Sequence, residues 1–265
     1  MREIPVLLYH NIGNYPENMM EDGMLPETFE KQMKFLADNG HQIVTLQQAL
    51  DHMNRKTKLS SNAMAITIDG GYQDAFTNVF PILKKYGFPA TFFIPPESIG
   101  RQRTIKGDSI ECLTWDQVRE IRNCGMEIGL LAYDGRTIKL HYDEDAIKKS
   151  IAPAMQILRR EINPQVKYCA FKEGVPGKSL WHFLKQQGFG AVFTQCPTNR
   201  RAAADSIGRI QIDDDDHNIF LTKISKTYLF FKDRRSWKYV RKYKLDKVAH
   251  WLSETWDQVK GDKKR

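Results

Sequence analysis

Short apolar runs alternate with amphipathic segments along most of the chain. The apolar runs have the length and the β-branched or aromatic content of buried strands, as in IPVLLYH, AMAITIDG, PATFFIP, MEIGLLAY, VKYCAF and FGAVFT. Helical spacing of apolar residues separates them, for example in LPETFEKQMKFLADNG, where Gly40 marks the end. Strand and helix alternate about seven times. This pattern predicts βαβ units and a parallel sheet, open or closed into a barrel.

Polar residues stand where several of these strands end. In a parallel barrel the chemistry lies at the carboxyl ends of the strands. We therefore expect the polar strand ends to converge on one mouth. They are Tyr9 with His10, Asp69, Tyr133 with Asp134, and Lys172 with Glu173.

Composition is that of an ordinary soluble protein, with 41% apolar and 27% charged residues. A length of 265 residues suits one large α/β domain or two small ones. No signal peptide or membrane span is expected near the N-terminus. The four cysteines are scattered without metal spacing, so we expect free thiols and a cytoplasmic location.

The positive charge is concentrated in the last part of the chain. Residues 223–265 hold 14 Lys and Arg against 5 Asp and Glu, whereas the rest of the chain is nearly neutral. We predict a barrel domain at residues 1–222 and a basic helical extension at 223–265 that packs on it. Interleaved aromatic residues favour an anionic membrane surface or glycolipid over nucleic acid, for which no motif is present. A solvated helix face is the alternative. The predicted membrane-binding cations are Lys232, Arg234, Arg235, Lys238, Arg241 and Lys242.

The segment ITIDGGYQDAF resembles the first catalytic motif, T-F-D-D-G-Y, of the NodB-type polysaccharide deacetylases (carbohydrate esterase family 4). LTWDQVREIRNCGMEIG resembles the lead-in to that family's second motif, and the similarity runs from about Pro5 to Ile212. The resemblance implies a distorted (β/α) barrel of about seven strands. It also implies removal of acetyl groups from N-acetylated sugars with a divalent metal.

That reaction explains the motifs of the family. A Lewis-acid metal polarises the amide carbonyl and lowers the pKa of bound water. A carboxylate takes the proton of the water, and an acid later protonates the leaving amine. The first motif therefore supplies two acids, one as base and one as ligand, and the second motif supplies two imidazoles to the same metal.

This chain departs from the family at the ligand positions. The resemblance places Asp69 at the general base, but Gly70, Leu131 and Gly135 stand at the three metal-ligand positions. Zinc sites need three or four protein ligands, so we expect no metal unless the site has been rebuilt. In the third motif Lys172 replaces the proline and Glu173 replaces the aromatic residue.

We predict a metal-free family member that acts in cell-envelope glycan metabolism and binds a sugar-containing ligand with little or no hydrolysis. One alternative is an active de-N-acetylase with a site rebuilt around Asp69, including a substitute metal set with His10 and Asp134. Another is a scaffold held at the inner face of a membrane by the basic extension. The plainer alternatives are that His10 hydrogen-bonds within the rim, Asp69 caps the following helix and Asp134 belongs to a turn. The predicted catalytic residue is Asp69, and the predicted substrate-binding residues are His10, Tyr72, Asp74, Asp134 and Glu173.

Overall fold

The computed structural model describes residues 4–15, 23–105, 108–132, 144–162, 166–172, 176–195, 206–213 and 217–225. Within these ranges the strands are β1 (Val6–Tyr9), β2 (Asn11–Ile12), β3 (Gly23–Met24), β4 (Gln42–Ile43), β5 (Ala63–Asp69), β6 (Thr91–Ile94), β7 (Gln102–Ile105), β8 (Asp108–Glu111), β9 (Glu127–Ala132), β10 (Tyr168–Phe171), β11 (Ala191–Thr194), β12 (Ser206–Gly208) and β13 (Ile210–Gln211). The helices are α1 (Pro26–Asp38), α2 (Leu46–Met53), α3 (Phe80–Tyr86), α4 (Trp115–Asn123), α5 (Glu144–Ile162), α6 (Lys178–Gln186) and α7 (His217–Ile224).

The main sheet is parallel and nearly closes into a barrel. Its strands follow the order β12, β11, β10, β9, β6, β5, β1 and β13, with β4 paired to the start of β5. The two strands at the ends of this order are consecutive in sequence, since only Arg209 separates β12 from β13. One short segment therefore pairs with β11 on one side and with β1 on the other. The predicted (β/α) barrel of about seven strands is confirmed.

Arg209 lies where this closing segment passes from one neighbour to the other. Its backbone N–H donates to the carbonyl of Thr194 on β11 at 2.9 Å. Three residues on, the N–H of Ile212 donates to the carbonyl of Leu8 on β1, also at 2.9 Å. The hydrogen bonds on both sides hold the backbone of the segment, so the side chain of Arg209 has a fixed origin.

Local sequence signals set the ends of several helices. Thr114 caps α4, and its side chain and that of Gln117 form the reciprocal capping box that the sequence predicts. Gly87 ends α3 in the left-handed conformation, with φ of 65°, where glycine carries no Cβ penalty. These caps fix where each helix returns the chain to the next barrel strand.

Aromatic side chains fill the barrel interior. The ring of Phe193 on β11 packs 5.6 Å from that of Phe93 on β6 and 5.9 Å from that of Tyr168 on β10, measured between ring centroids. Leu131 on β9 belongs to the same buried cluster. Outside the barrel, β7 and β8 form an antiparallel hairpin, and β2 pairs with β3.

The chain forms two compact units, with the division between Asp214 and Asp215. The first unit contains the whole barrel, and α7 is the part of the second unit that the structure describes. The predicted boundary at residues 222 and 223, and the basic extension beyond it, stay predictions because residues 226–265 lie outside the described ranges. No helix in the described part combines the length and the apolar character needed to cross a bilayer.

Candidate functional site

The site begins at the carboxyl end of β5, where the sequence places its two glycines. All seven residues of β5 are buried, and Asp69 is the last of them. Gly70 and Gly71 follow with φ of +125° and +69°, values that side-chain-bearing residues rarely adopt. The N–H of Gly70 donates to the carbonyl of Phe93 at 3.2 Å, so the turn is tied to the neighbouring strand β6.

Asp69 forms a buried, bidentate ion pair with Arg209. The Nη1 atom of Arg209 lies 2.6 Å from Oδ1 of Asp69, and Nη2 lies 2.7 Å from Oδ2. The arginine side chain has no exposed surface, and that of the aspartate is 3% exposed. Two parallel charge-assisted hydrogen bonds fix the plane of the carboxylate and compensate two charges that burial would otherwise disfavour.

The guanidinium of Arg209 is itself held in place by its neighbours. Its Cζ lies 5.2 Å from the centroid of the Phe93 ring, a cation–π distance. Nη1 also approaches Oγ1 of Thr67 at 3.4 Å, while that hydroxyl donates to the carbonyl of Leu7 at 2.7 Å. Asp69 is therefore oriented by a guanidinium that is itself positioned by Phe93 and Thr67.

Sequence reasoning did not identify Arg209 as a site residue. The pattern of IGRIQI predicts one further strand, whereas the structure divides the segment between β12 and β13, with Arg209 between them. The signal was present, because a cation within a short apolar strand needs a counter-charge when the strand is buried. The sequence separation of 140 residues from Asp69 gave no local indication of which acid that would be.

Asp74 is buried and accepts hydrogen bonds from within the protein. The N–H of Ile12 donates to its Oδ2 at 2.5 Å, and the hydroxyl of Tyr15 and the backbone of Ala75 are further donors. Burial raises the pKa of Asp74 from 3.8 to about 6, and these hydrogen bonds oppose the rise. The carboxylate thus links the β2 region to the turn after β5, and its predicted part in substrate binding stays a prediction.

Of the other predicted substrate-binding residues, the structure describes Tyr72 and His10. Tyr72 is 8% exposed and packs beside the β7–β8 hairpin. His10 is partly buried and lies between β1 and β2, which puts it at the same end of the barrel as Asp69. Asp134 and Glu173 lie outside the described residues. The structure therefore brings His10, Asp69 and Tyr72 to one end of the barrel, and their substrate contacts stay predictions.

The described ligand positions do not fit a divalent metal. Gly70 offers no side chain, and Leu131 is 7% exposed and packs in the apolar interior. Gly135 lies outside the described ranges. In the part of the chain that is described, no group of three or more His, Cys, Asp and Glu side chains could hold a metal ion. Both oxygens of Asp69, which directly precedes Gly70, are engaged by Arg209.

Comparison with known proteins agrees with the barrel fold. The family model for polysaccharide deacetylases matches residues 56–192, just over half of the chain. The chain therefore belongs to the polysaccharide deacetylase family. The matched region includes Asp69 and its glycines.

Among the curated relatives, YxkH of Bacillus subtilis (strain 168), which is classed with the polysaccharide deacetylases, is 34% identical over 48% of this chain and 41% of its own length. The poly-beta-1,6-N-acetyl-D-glucosamine N-deacetylase of Escherichia coli (strain K12) is 28% identical over 43% of this chain and 18% of its own length. The chain thus spans less than half of the length of these two relatives. The enzyme of that name from Staphylococcus aureus (strain N315) is 22% identical over 71% of this chain and 67% of its own length.

Solved structures show the same fold. IcaB from Ammonifex degensii superposes with a TM-score of 0.67 at 25% identity, covering 79% of this chain and 91% of that one. The deacetylase PplD of Streptococcus pyogenes, solved with acetate, superposes with a TM-score of 0.69 at 16% identity, covering 84% of this chain and 99% of that one. At that identity the second likeness concerns the fold alone.

Proposed function

We propose that this member of the polysaccharide deacetylase family binds an N-acetylated glycan of the cell envelope, or its precursor, at the carboxyl ends of its barrel strands, with little or no hydrolysis. The observation that carries the proposal is the state of the metal-ligand positions. Glycine stands at one, and a leucine packed in the barrel interior stands at another. The polar end of β5, in contrast, is retained.

Asp69 can take part in such binding without a metal. A carboxylate has about four lone-pair sites, and the bidentate contact with Arg209 uses two of them. The remaining sites can accept hydrogen bonds from sugar hydroxyls or from the N–H of an acetamido group. Because the pair is rigid, little conformational entropy is lost when a ligand binds. The family membership and the poly-N-acetylglucosamine relatives support this choice of ligand.

The first test measures hydrolysis and binding in parallel. N-acetylglucosamine oligomers are incubated with the protein after chelation and after addition of zinc or cobalt, and free amine and acetate are measured. Binding is followed by NMR chemical-shift change. We expect shifts without amine release, and no tight zinc site in a calorimetric titration.

Two variants locate the binding. Asp69→Asn is expected to weaken it. Asp38→Asn makes the same chemical change at an exposed salt bridge of α1 and should leave binding unchanged. Circular dichroism checks that each variant is folded. Amine release that depends on Asp69 would refute the non-hydrolytic proposal, and the absence of both shifts and release would refute glycan binding.

Retained hydrolysis is the second candidate. It is favoured by Asp69, which stands at the position of the family's general base and keeps a fixed orientation. In this case a tight zinc site that disappears in Asp69→Asn would indicate a rebuilt metal centre. Zinc-dependent release of acetate, abolished in the same variant, would establish the activity.

We also propose a cytoplasmic location at the inner face of the membrane, through the basic residues of 223–265. Support comes from the charge of this segment alone, with 14 basic and 5 acidic residues. Sedimentation with anionic and with neutral vesicles tests it. Binding to anionic vesicles should fall when Lys238, Arg241 and Lys242 are replaced by Gln, and equal binding to neutral vesicles would contradict the electrostatic explanation.

A further inference from the structure

Three polar side chains, those of Gln195, Gln211 and Asp213, form a hydrogen-bonded row where the barrel closes. Gln195 follows the last residue of β11, Gln211 is the last residue of β13, and Asp213 lies two residues further on. The Nε2 atom of Gln195 donates to Oε1 of Gln211, and Nε2 of Gln211 donates to Oδ1 of Asp213 at 2.7 Å. The row therefore joins the end of β11 to the end of β13, and all three residues are half-buried.

The strand register places this row at the same end of the barrel as Asp69. Gln211 lies opposite Leu8 on β1, and Leu8 lies opposite Thr67 on β5. Directly paired residues have their side chains on the same face of a sheet, and alternate residues of one strand share a face. Because Thr67 is two residues before Asp69, the side chains of Gln211 and Asp69 lie on the same face, at the carboxyl ends of their strands.

The carboxylate of Asp213 sets the direction of the row. An ionised carboxylate accepts hydrogen bonds and cannot donate them, so the amide nitrogen of Gln211 faces it. The carbonyl oxygen of Gln211 then faces Gln195 and takes an N–H from it. Among the described residues, this arrangement uses one of the two N–H groups of Gln195 and leaves its second N–H and its carbonyl oxygen for a ligand.

A donor and an acceptor held side by side on a planar amide suit a sugar ring. Each hydroxyl group both donates and accepts, so two neighbouring hydroxyl groups can bind one amide together. The carboxylate at the other end of the row strengthens the chain of hydrogen bonds, because a charged acceptor polarises the amide that donates to it. Since the row already orients the amide of Gln195, little side-chain entropy is lost when a ligand binds.

We propose that Gln195, Gln211 and Asp213 form a subsite for a second, uncharged sugar unit of the glycan whose neighbouring unit binds at Asp69. Gln195 makes the hydrogen bonds to the hydroxyl groups, and the other two residues hold its amide in place. This inference deepens the proposed glycan binding and rests on it. Under it, oligomers bind more tightly than single units, and the row supplies the difference.

An NMR titration with N-acetylglucosamine and with its trimer tests the subsite. We expect the side-chain amide signal of Gln195 to shift when the trimer is added to the unmodified protein. Gln195→Met has a side chain of similar length without the amide, and it should weaken trimer binding about 3–10-fold, as the loss of a hydrogen bond does. The advantage of the trimer over the single unit should fall by the same factor.

Two comparisons separate ligand contact from a structural role. Gln186→Met makes the same chemical change on α6, where Gln186 contacts His182, and should bind the trimer as the unmodified protein does. Asp213→Asn keeps an oxygen that accepts from Gln211, so it should retain more trimer affinity than Asp213→Leu, which has no acceptor. Thermal unfolding checks that these variants are folded.

The outcomes distinguish the subsite from the proposed function. A Gln195 amide signal that does not shift in protein that binds the trimer, or equal trimer affinity in Gln195→Met, would overturn the subsite and leave glycan binding intact. Absence of trimer binding would refute the proposed function and the subsite with it. Should Gln195→Met fail to accumulate, the shift of the Gln195 amide in the unmodified protein, assigned through its own backbone, decides the matter.

Discussion

The buried pair of Asp69 and Arg209 offers the most decisive energetic test of the site. Replacing Arg209 by Met removes both charge-assisted hydrogen bonds and leaves a carboxylate that is 3% exposed without its counter-ion. Breaking a buried ion pair in this way costs about 3–5 kcal/mol. For a chain of this size, that corresponds to a fall in Tm of roughly 6–20 °C. Asp69→Asn leaves a buried guanidinium and should cost a similar amount.

The double variant Asp69→Asn/Arg209→Met shows whether the cost comes from the pair. It removes both charges, so its loss of stability should be smaller than the sum of the single losses, with a coupling energy of about 2–3 kcal/mol. Urea unfolding followed by tryptophan fluorescence measures each free energy of unfolding.

A surface ion pair provides the matched control. Lys85 and Glu30 are 2.5 Å apart, with side chains 61% and 41% exposed. Glu30→Gln should therefore cost less than about 1 kcal/mol. Finding Arg209→Met within about 1 kcal/mol of the unmodified protein would show that the pair does not hold the strand end, and the rigidity argument for Asp69 would fail.

Three further predictions concern the surroundings of the site. The pKa of Asp74 is raised from 3.8 to about 6 by burial, so the stability it contributes is fully present below pH 4 and is lost as pH rises through 6. Asp74→Asn should remove about 3 kcal/mol of this pH dependence in urea unfolding from pH 4 to 7, and an unchanged pH profile would contradict the assignment. Burial raises the pKa of Cys112 to about 11, so native-state alkylation with peptide mapping should label the exposed Cys124 much faster, and equal rates would contradict this. Thr114→Ala should cost about 1 kcal/mol by removing the cap of α4, whereas Thr114→Ser should keep it, and equal losses in thermal unfolding would contradict the capping role.

The sequence predicted the barrel because its evidence is local and repeated. The run AMAITID is apolar except for Thr67 and the terminal Asp69, as expected of a strand buried on both faces. The helix caps at Thr114 and Gly87 depend on residues within a few positions of each other, so the sequence predicts them as well. The end of β5 at Asp69 followed from the same pattern.

The candidate site was only partly predictable. Resemblance to the family motifs identified Asp69 and the absence of ligand side chains at Gly70 and Leu131. It could not show that Asp74 is enclosed by Ile12 and Tyr15, because that enclosure depends on how β2 packs against the turn.

By itself, the sequence determined the order of strands and helices, the family resemblance and the absence of metal-ligand side chains at the ligand positions. Each of these depends only on residue type and short-range spacing. Tertiary structure alone decided that Arg209 would neutralise Asp69 and that Gln195 would donate to Gln211. The first depends on barrel closure, which brings residues 140 apart into contact. The second depends on the same closure, because the closing segment sets the end of β13 beside the end of β11, and such a contact exists only once the chain has folded.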